Sequence, residues 1–136
     1  MKELTVSAVV ENIPEVTAFV DALLEAEGCS MKAQMHIDLA IDEIFANIAS
    51  YAYEGNPGEA TVRVDFDAGT REVEITFIDR GIPYDPSRKP DPDVTLSAEE
   101  REIGGLGIFL VKKTMDAMEY ARVDGKNVLT LRKRIG

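Results

Sequence analysis

The chain is poor in the residues that build disulfides, metal clusters and histidine-based catalytic sites. It has one cysteine, Cys29, and one histidine, His36. A single cysteine excludes an internal disulfide and a cysteine-rich metal site, and a reducing, cytoplasmic setting is the simple expectation. A lone histidine with no second histidine or usable cysteine near it argues against a metal or triad role, so His36 reads as a partly exposed helix residue. No apolar run approaches the roughly 20 residues that span a bilayer. Met1 to Val10 also lacks the basic flank and apolar core of a signal peptide. Basic residues are scarce too: 15 Lys and Arg against 25 Asp and Glu give a net charge of −10. That balance argues against nucleic acid as a direct partner, because phosphate backbones bind basic surfaces. A small polyanion would have to be held by local devices such as helix N-termini, backbone N–H groups and a bound cation.

What is present fits one domain over residues 1–136. Leu4 to Val10 is rich in β-branched residues and reads as a strand. Asn12-Ile13-Pro14-Glu15 has the marks of a capped helix start, and Gly28 marks that helix's end. Ser30 is placed to cap a second helix reaching about Ala52, with Ile37, Ile41, Ile44 and Ile48 as its buried stripe. Asn56-Pro57-Gly58 is a turn. Thr61 to Asp67 and Glu72 to Phe77 then alternate polar and apolar residues, as in an antiparallel sheet with one wet face, and Gly69 lies in the hairpin between them. Tyr84 to Ile103 is a long polar stretch with Pro86, Pro90 and Pro92, and Ser97 to Glu100 has the pattern of a short capped helix within it. A third helix is expected from Gly105 to Met118. Tyr120–Val123 and Asn127–Arg132 read as a closing hairpin turned by Asp124-Gly125. The order β-α-α-β-β-loop-α-β-β predicts an α+β two-layer sandwich, a mixed, mostly antiparallel sheet with helices on one face.

Three segments carry polar or glycine groups where the apolar pattern alone does not ask for them. Glu43 and Asn47 are four residues apart, so they share one face of the second helix beside the isoleucine stripe. In one reading, Asn47 offers an oxygen to Mg²⁺ and Glu43 is a general base near a γ-phosphate; in the other, both belong to a solvated helix edge. Asp79 ends a strand and Gly81 follows it. A carboxylate there can accept the exocyclic amine of adenine, though Asp and Gly also suit a plain turn. Gly104-Gly105-Leu106-Gly107 precedes a helix and can expose N–H groups to phosphate. No Lys-Ser or Lys-Thr follows, so it is not a P-loop, and no strand precedes it, so it is not a Rossmann fingerprint.

These segments, in this order, resemble the boxes of the GHKL (histidine kinase-like) ATPase superfamily, and more closely its small branch of anti-sigma-factor serine/threonine-protein kinases. Ile41 to Ile48 looks like the branch's N box, Asp79 to Pro86 its G1 box and Gly104 to Val111 its G2 box. Pro83 stands where histidine kinases and gyrases have a second G1 glycine, a change the small kinase branch often tolerates. The resemblance implies a Bergerat-type sandwich binding ATP and Mg²⁺. Glu43 would be the catalytic base, and Asn47 the metal ligand. Asp79 and Gly81 would read the base, with Thr130 matching a threonine near the adenine. Gly105, Leu106, Gly107 and Ile108 would hold phosphates, and Tyr84 to Ile103 would form an ATP lid. It implies transfer of phosphate to a STAS-domain anti-sigma-factor antagonist in a partner-switching circuit, with a sigma factor as a further partner and a homodimer as the assembly. The alternative is an ATP-binding regulatory module that binds a sigma factor or other partner with little catalysis. Neither reading requires a membrane or direct contact with nucleic acid.

Overall fold

The computed structural model describes residues 1–88 and 105–136, with the side chains of 105 and 106 left aside. The elements are β1 (Lys2–Ser7), α1 (Ile13–Ala26), α2 (Met31–Asn47), β2 (Glu59–Asp67), β3 (Glu72–Asp79), α3 (Gly105–Thr114), β4 (Ala117–Val123) and β5 (Lys126–Arg134). The five strands form one sheet in the order β1-β2-β3-β5-β4. Every pairing is antiparallel. This meets the expectation of an α+β sandwich with a mostly antiparallel sheet.

Alternation along the strands explains the two layers. Val62, Val64, Val73, Ile75, Phe77, Leu129 and Leu131 all lie on one face and are buried. They pack with Val16, Val20 and Leu24 of α1, Ile37, Ile41, Ile44 and Phe45 of α2, and Ile108 and Val111 of α3 in a single core. The isoleucine stripe read from the sequence is the inward face of α2, the central helix between α1 and α3. The opposite face of the sheet is polar. There Thr5 and Thr61 share a 2.8 Å hydroxyl contact, Arg63 reaches Glu3 at 2.8 Å, and Arg132 bonds Glu74 at 3.1 Å and also Glu119.

Several punctuation signals act as read. Ser30 Oγ accepts from Ala33 N at 3.2 Å and caps α2. Gly28 has φ +70° just past α1, and Asp124-Gly125 turns the closing hairpin with φ 51° and 77°.

Three boundaries and one cap differ from those expected. β1 runs Lys2–Ser7 instead of Leu4 to Val10, because Val10–Asn12 forms a 3₁₀ turn leading into α1. Asn12 makes no capping bond; its Nδ2 donates to Ser7 O at 2.9 Å instead. The second helix is α-helical only to Asn47, after which Ile48–Ala52 widens into a π turn. α3 stops at Thr114 instead of Met118, because Asp116 N joins Arg132 O at 2.9 Å and draws the chain into the sheet. The expected short helix at Ser97 to Glu100, Gly104 and residues 89–103 of the expected lid fall outside the described residues.

Candidate functional site: a cavity between helix α2 and strands β3 and β5

The end of α2 and the end of β3 meet over a small cavity. Ile44, Asn47, Ile48, Phe77, Asp79 and Leu129 line it, with Tyr84 and Pro86 from the segment after β3. Its free volume is about 30 Å³, room for ordered water and not for a purine until Tyr84 and Pro86 move aside. The walls are mostly apolar, and the polar groups are few and fixed, as in sites that bind flat ring systems.

Asp79 occupies the floor. It is only 5% exposed, and both of its hydrogen bonds fall on Oδ1. Gly81 N donates to that oxygen at 2.8 Å and Asn127 Nδ2 at 2.9 Å. Oδ2 is left as the acceptor for a ligand's N–H. A buried acceptor of this kind selects a donor, such as an exocyclic amine. Antiparallel register explains the neighbour, since Asp79 pairs with Asn127 across β3 and β5.

Gly81 is required by its surroundings. A Cβ built there would collide with the carbonyl of Ala52, at the end of the π turn. The close approach at Gly81 is thus between two stretches of backbone, and Ile82 N joins them by donating to Ala52 O at 2.8 Å. The turn's outer end is held by Tyr53, whose hydroxyl accepts from Arg80 N at 2.9 Å.

Asn47 is the last residue of α2 and borders the cavity. The π turn follows it directly; such widened turns re-aim side chains and recur at functional sites. Asn47 Nδ2 is buried without a hydrogen-bond partner, so this amide has bonding capacity to offer a ligand. Among the described residues, no group of three or more His, Cys, Asp or Glu side chains is placed to hold a metal ion. The free Nδ2 is a hydrogen-bond donor and no cation ligand; a hard cation here would need the Asn47 Oδ1, with its remaining ligands from phosphates and water.

Glu43, one helical turn before Asn47, lies against the first turn of α3. A Cβ built at Gly107 would fall inside the Glu43 carboxylate. The glycine at 107 thus makes room for the acid as well as freeing the helix start. Burial first, then the Tyr51 hydroxyl, then the negative charges of Glu43 and Asp85, push the Tyr84 phenol above its usual range, so it stays a donor. The rings of Tyr51 and Tyr84 lie 6.3 Å apart at the cavity mouth.

The sites read from the sequence separate as follows. Asn47 and Asp79 share the cavity, Gly81 shapes its floor, and Glu43 and Gly107 meet beside it. Gly105 and Leu106 form the first turn of α3, while the Ile108 side chain is buried in the core. Thr130 is elsewhere: it faces the outer side of the sheet, 3.5 Å from the Thr76 hydroxyl. The β5 residues that border the cavity are Asn127 and Leu129. Asn127 was missed in the sequence. Its signal was the two-residue spacing Asn127-Leu129-Leu131, which puts a polar side chain on the buried face of the strand.

A two-layer sandwich with a carboxylate-floored cavity between an asparagine-bearing helix and a strand end is the arrangement that the resemblance to histidine kinase-like ATPases implied. The profile of the family described as "Histidine kinase-like ATPase domain" matches residues 6–133, and the chain belongs to that family. Within it the chain belongs to the branch of serine- and serine/threonine-protein kinases. It is 34% identical over 103 residues to serine/threonine-protein kinase BtrW of Bordetella bronchiseptica, covering 75% of this chain and 71% of BtrW. It is 28% identical over 106 residues to serine-protein kinase RsbW of Listeria monocytogenes, covering 75% of this chain and 67% of that protein. Among solved structures, the RsbU and RsbW domains of Rv1364c from Mycobacterium tuberculosis superpose with a TM-score of 0.64 at 17% identity, over 99% of this chain and 33% of that one. That likeness bears on fold alone. None of the described helices is long and apolar enough to cross a membrane.

Proposed function

We propose that the chain transfers the γ-phosphate of ATP to a serine or threonine of a STAS-domain antagonist in a partner-switching circuit. The observation that carries this reading is the placement of Glu43 against Gly107, one turn from the cavity-lining Asn47. A carboxylate between the base cavity and the head of α3 lies where a phosphoryl acceptor would have to arrive. In the proposed step, the acceptor hydroxyl gives its proton to Glu43 as its oxygen attacks the γ-phosphorus. The bond from that phosphorus to the bridging oxygen breaks, and ADP leaves. Asp79 Oδ2 would accept the adenine amine, and backbone N–H groups in the first turn of α3 would take phosphate oxygens. Asn47 would hold Mg²⁺, which supplies charge neutralisation when bound. The names BtrW and RsbW carry serine or serine/threonine kinase activity for those proteins, and support the same reading here.

The test is transfer of radiolabelled phosphate from ATP to purified STAS-domain proteins of the same genome. Label on a serine or threonine of one of them supports the proposal. Tight MgATP binding with no transfer to any of them would favour the regulatory module over the kinase.

A further inference from the structure

Among the described residues, Asn127 is the most connected side chain at the site, and nothing in its residue type alone announces it. It is only 5% exposed. Its Nδ2 donates twice, to Asp79 Oδ1 at 2.9 Å and to Ile82 O at 2.7 Å. Its Oδ1 accepts from Tyr84 N at 3.3 Å, from an Arg122 guanidinium nitrogen at 3.1 Å and from the Tyr120 hydroxyl. Two acceptors face one end of the amide and three donors face the other, so its orientation is fixed by chemistry. The same Arg122 nitrogen also donates to Gly81 O at 2.8 Å. Four backbone groups between Gly81 and Tyr84 are thus tied down: three by Asn127 and Arg122, the fourth by the Asp79 bond to Gly81 N.

We propose that Asn127, braced by Arg122, is a positioning residue that sets base selectivity. The inference rests on reading the cavity as the adenine site. Two donors occupy Asp79 Oδ1 and leave Oδ2 to meet a ligand as the acceptor. A pure acceptor welcomes the 6-amino group of adenine and repels the 6-oxo group of guanine. Asn127 therefore does more than fill space: it keeps the aim of the group that reads the base. Through Tyr84 N it also connects that group to the segment that must move when a purine enters.

The experiment compares MgATP and MgGTP affinities of the full chain and its variants by competition with a fluorescent nucleotide. In Asn127→Asp the introduced carboxylate cannot donate to Asp79. Two adjoining carboxylates require a proton, and Arg122 favours the introduced group as the ionised one, so the proton falls on Asp79. A neutral acid favours the amine less and repels the oxo group less. The ATP-to-GTP affinity ratio should fall at least about tenfold, whereas Val128→Thr, on the outer face of the same strand, should leave it unchanged. A ratio in Asn127→Asp equal to wild type, or loss of both affinities by the same factor, overturns the proposal. Should Asn127→Asp not fold, Arg122→Ala decides. A rise of about fivefold in the MgATP dissociation constant, restored by Arg122→Lys, supports the role, and an unchanged constant overturns it. A wild-type chain that binds neither nucleotide overturns the adenine reading of the cavity, and this role with it.

Discussion

Gly81 and Gly107 both stand where a methyl group would collide, but with different neighbours. At Gly81 the obstacle is the Ala52 backbone, which cannot turn away, so Gly81→Ala should cost about 2–3 kcal/mol of stability and lower the melting temperature. At Gly107 the obstacle is the end of the Glu43 side chain, which can swing aside. Gly107→Ala should therefore leave the melting temperature near wild type while phosphate transfer falls, because the displaced group is the proposed base. Glu43→Gln tests that role directly. It should lower transfer by about 10²–10⁴-fold while MgATP affinity stays within a few-fold. Transfer at the wild-type rate in Glu43→Gln would return Glu43 to an ordinary helix-edge acid. Asp79→Asn follows from the bonding at its floor position. Gly81 N and Asn127 Nδ2 both point at one oxygen, so the variant must keep its oxygen there and turn its NH₂ toward the ligand. Donor would then face donor, and ATP affinity should drop about 100-fold by titration.

Between α1 and α2, the chain holds a pair of acids that only a proton can reconcile. Asp38 is pushed from 3.8 up to about 7 by burial, by a bond from Asp21, and by the charges of Asp21, Asp42 and Glu25. Oδ1 of Asp21 and Oδ1 of Asp38 are both buried without a hydrogen-bond partner. The folded state thus holds a proton between about pH 4 and 7 that the unfolded chain has lost, so this contribution to stability is full at the acid end and disappears as pH rises through 7. Asp38→Asn should remove the dependence and raise the melting temperature near pH 8. Parallel pH–melting curves for wild type and variant would show that the pair is not strained. At this scale the sequence was informative about faces and poor about ends. The isoleucine stripe of α2 and the alternation of β2 and β3 follow from burial periods, and both stand in the structure. The stop of α3 at Thr114 and the 3₁₀ turn at Val10–Asn12 depend on bonds to Arg132 and Ser7, partners far away or off-pattern. Thr130 and Asn127 differ for the same reason. Strand register decides which one faces the cavity, and register is fixed by the Asp124-Gly125 turn and the pairing of Asp79 with Asn127.

The whole molecule places its polar site where three elements end: α2 at Asn47, β3 at Asp79, and α3 at its start. Helix and strand ends bring unpaired backbone groups and short side chains together, while the sheet and helices behind them form one continuous core. On the proposed reading, Tyr84 and Pro86, which line the front of the cavity, must give way to the base. Nucleotide binding should then act on the whole fold in two measurable ways. If MgATP binds only the folded chain, saturation to 100 times its dissociation constant adds about 2.7 kcal/mol, or about 8 °C of melting temperature for a domain of this size. The second effect is local. The bond from Tyr84 N to Asn127 is the longest in its network at 3.3 Å, and entry of the base requires the segment from Tyr84 to Arg88 to shift. Amide hydrogen exchange at Tyr84 and Arg88 should therefore change on adding MgATP, while amides in the middle of β3, behind the cavity, gain only the protection of the global shift. A uniform gain across both regions would mean that the base enters without displacing Tyr84 and Pro86. No change in melting temperature at millimolar MgATP would remove the nucleotide site altogether.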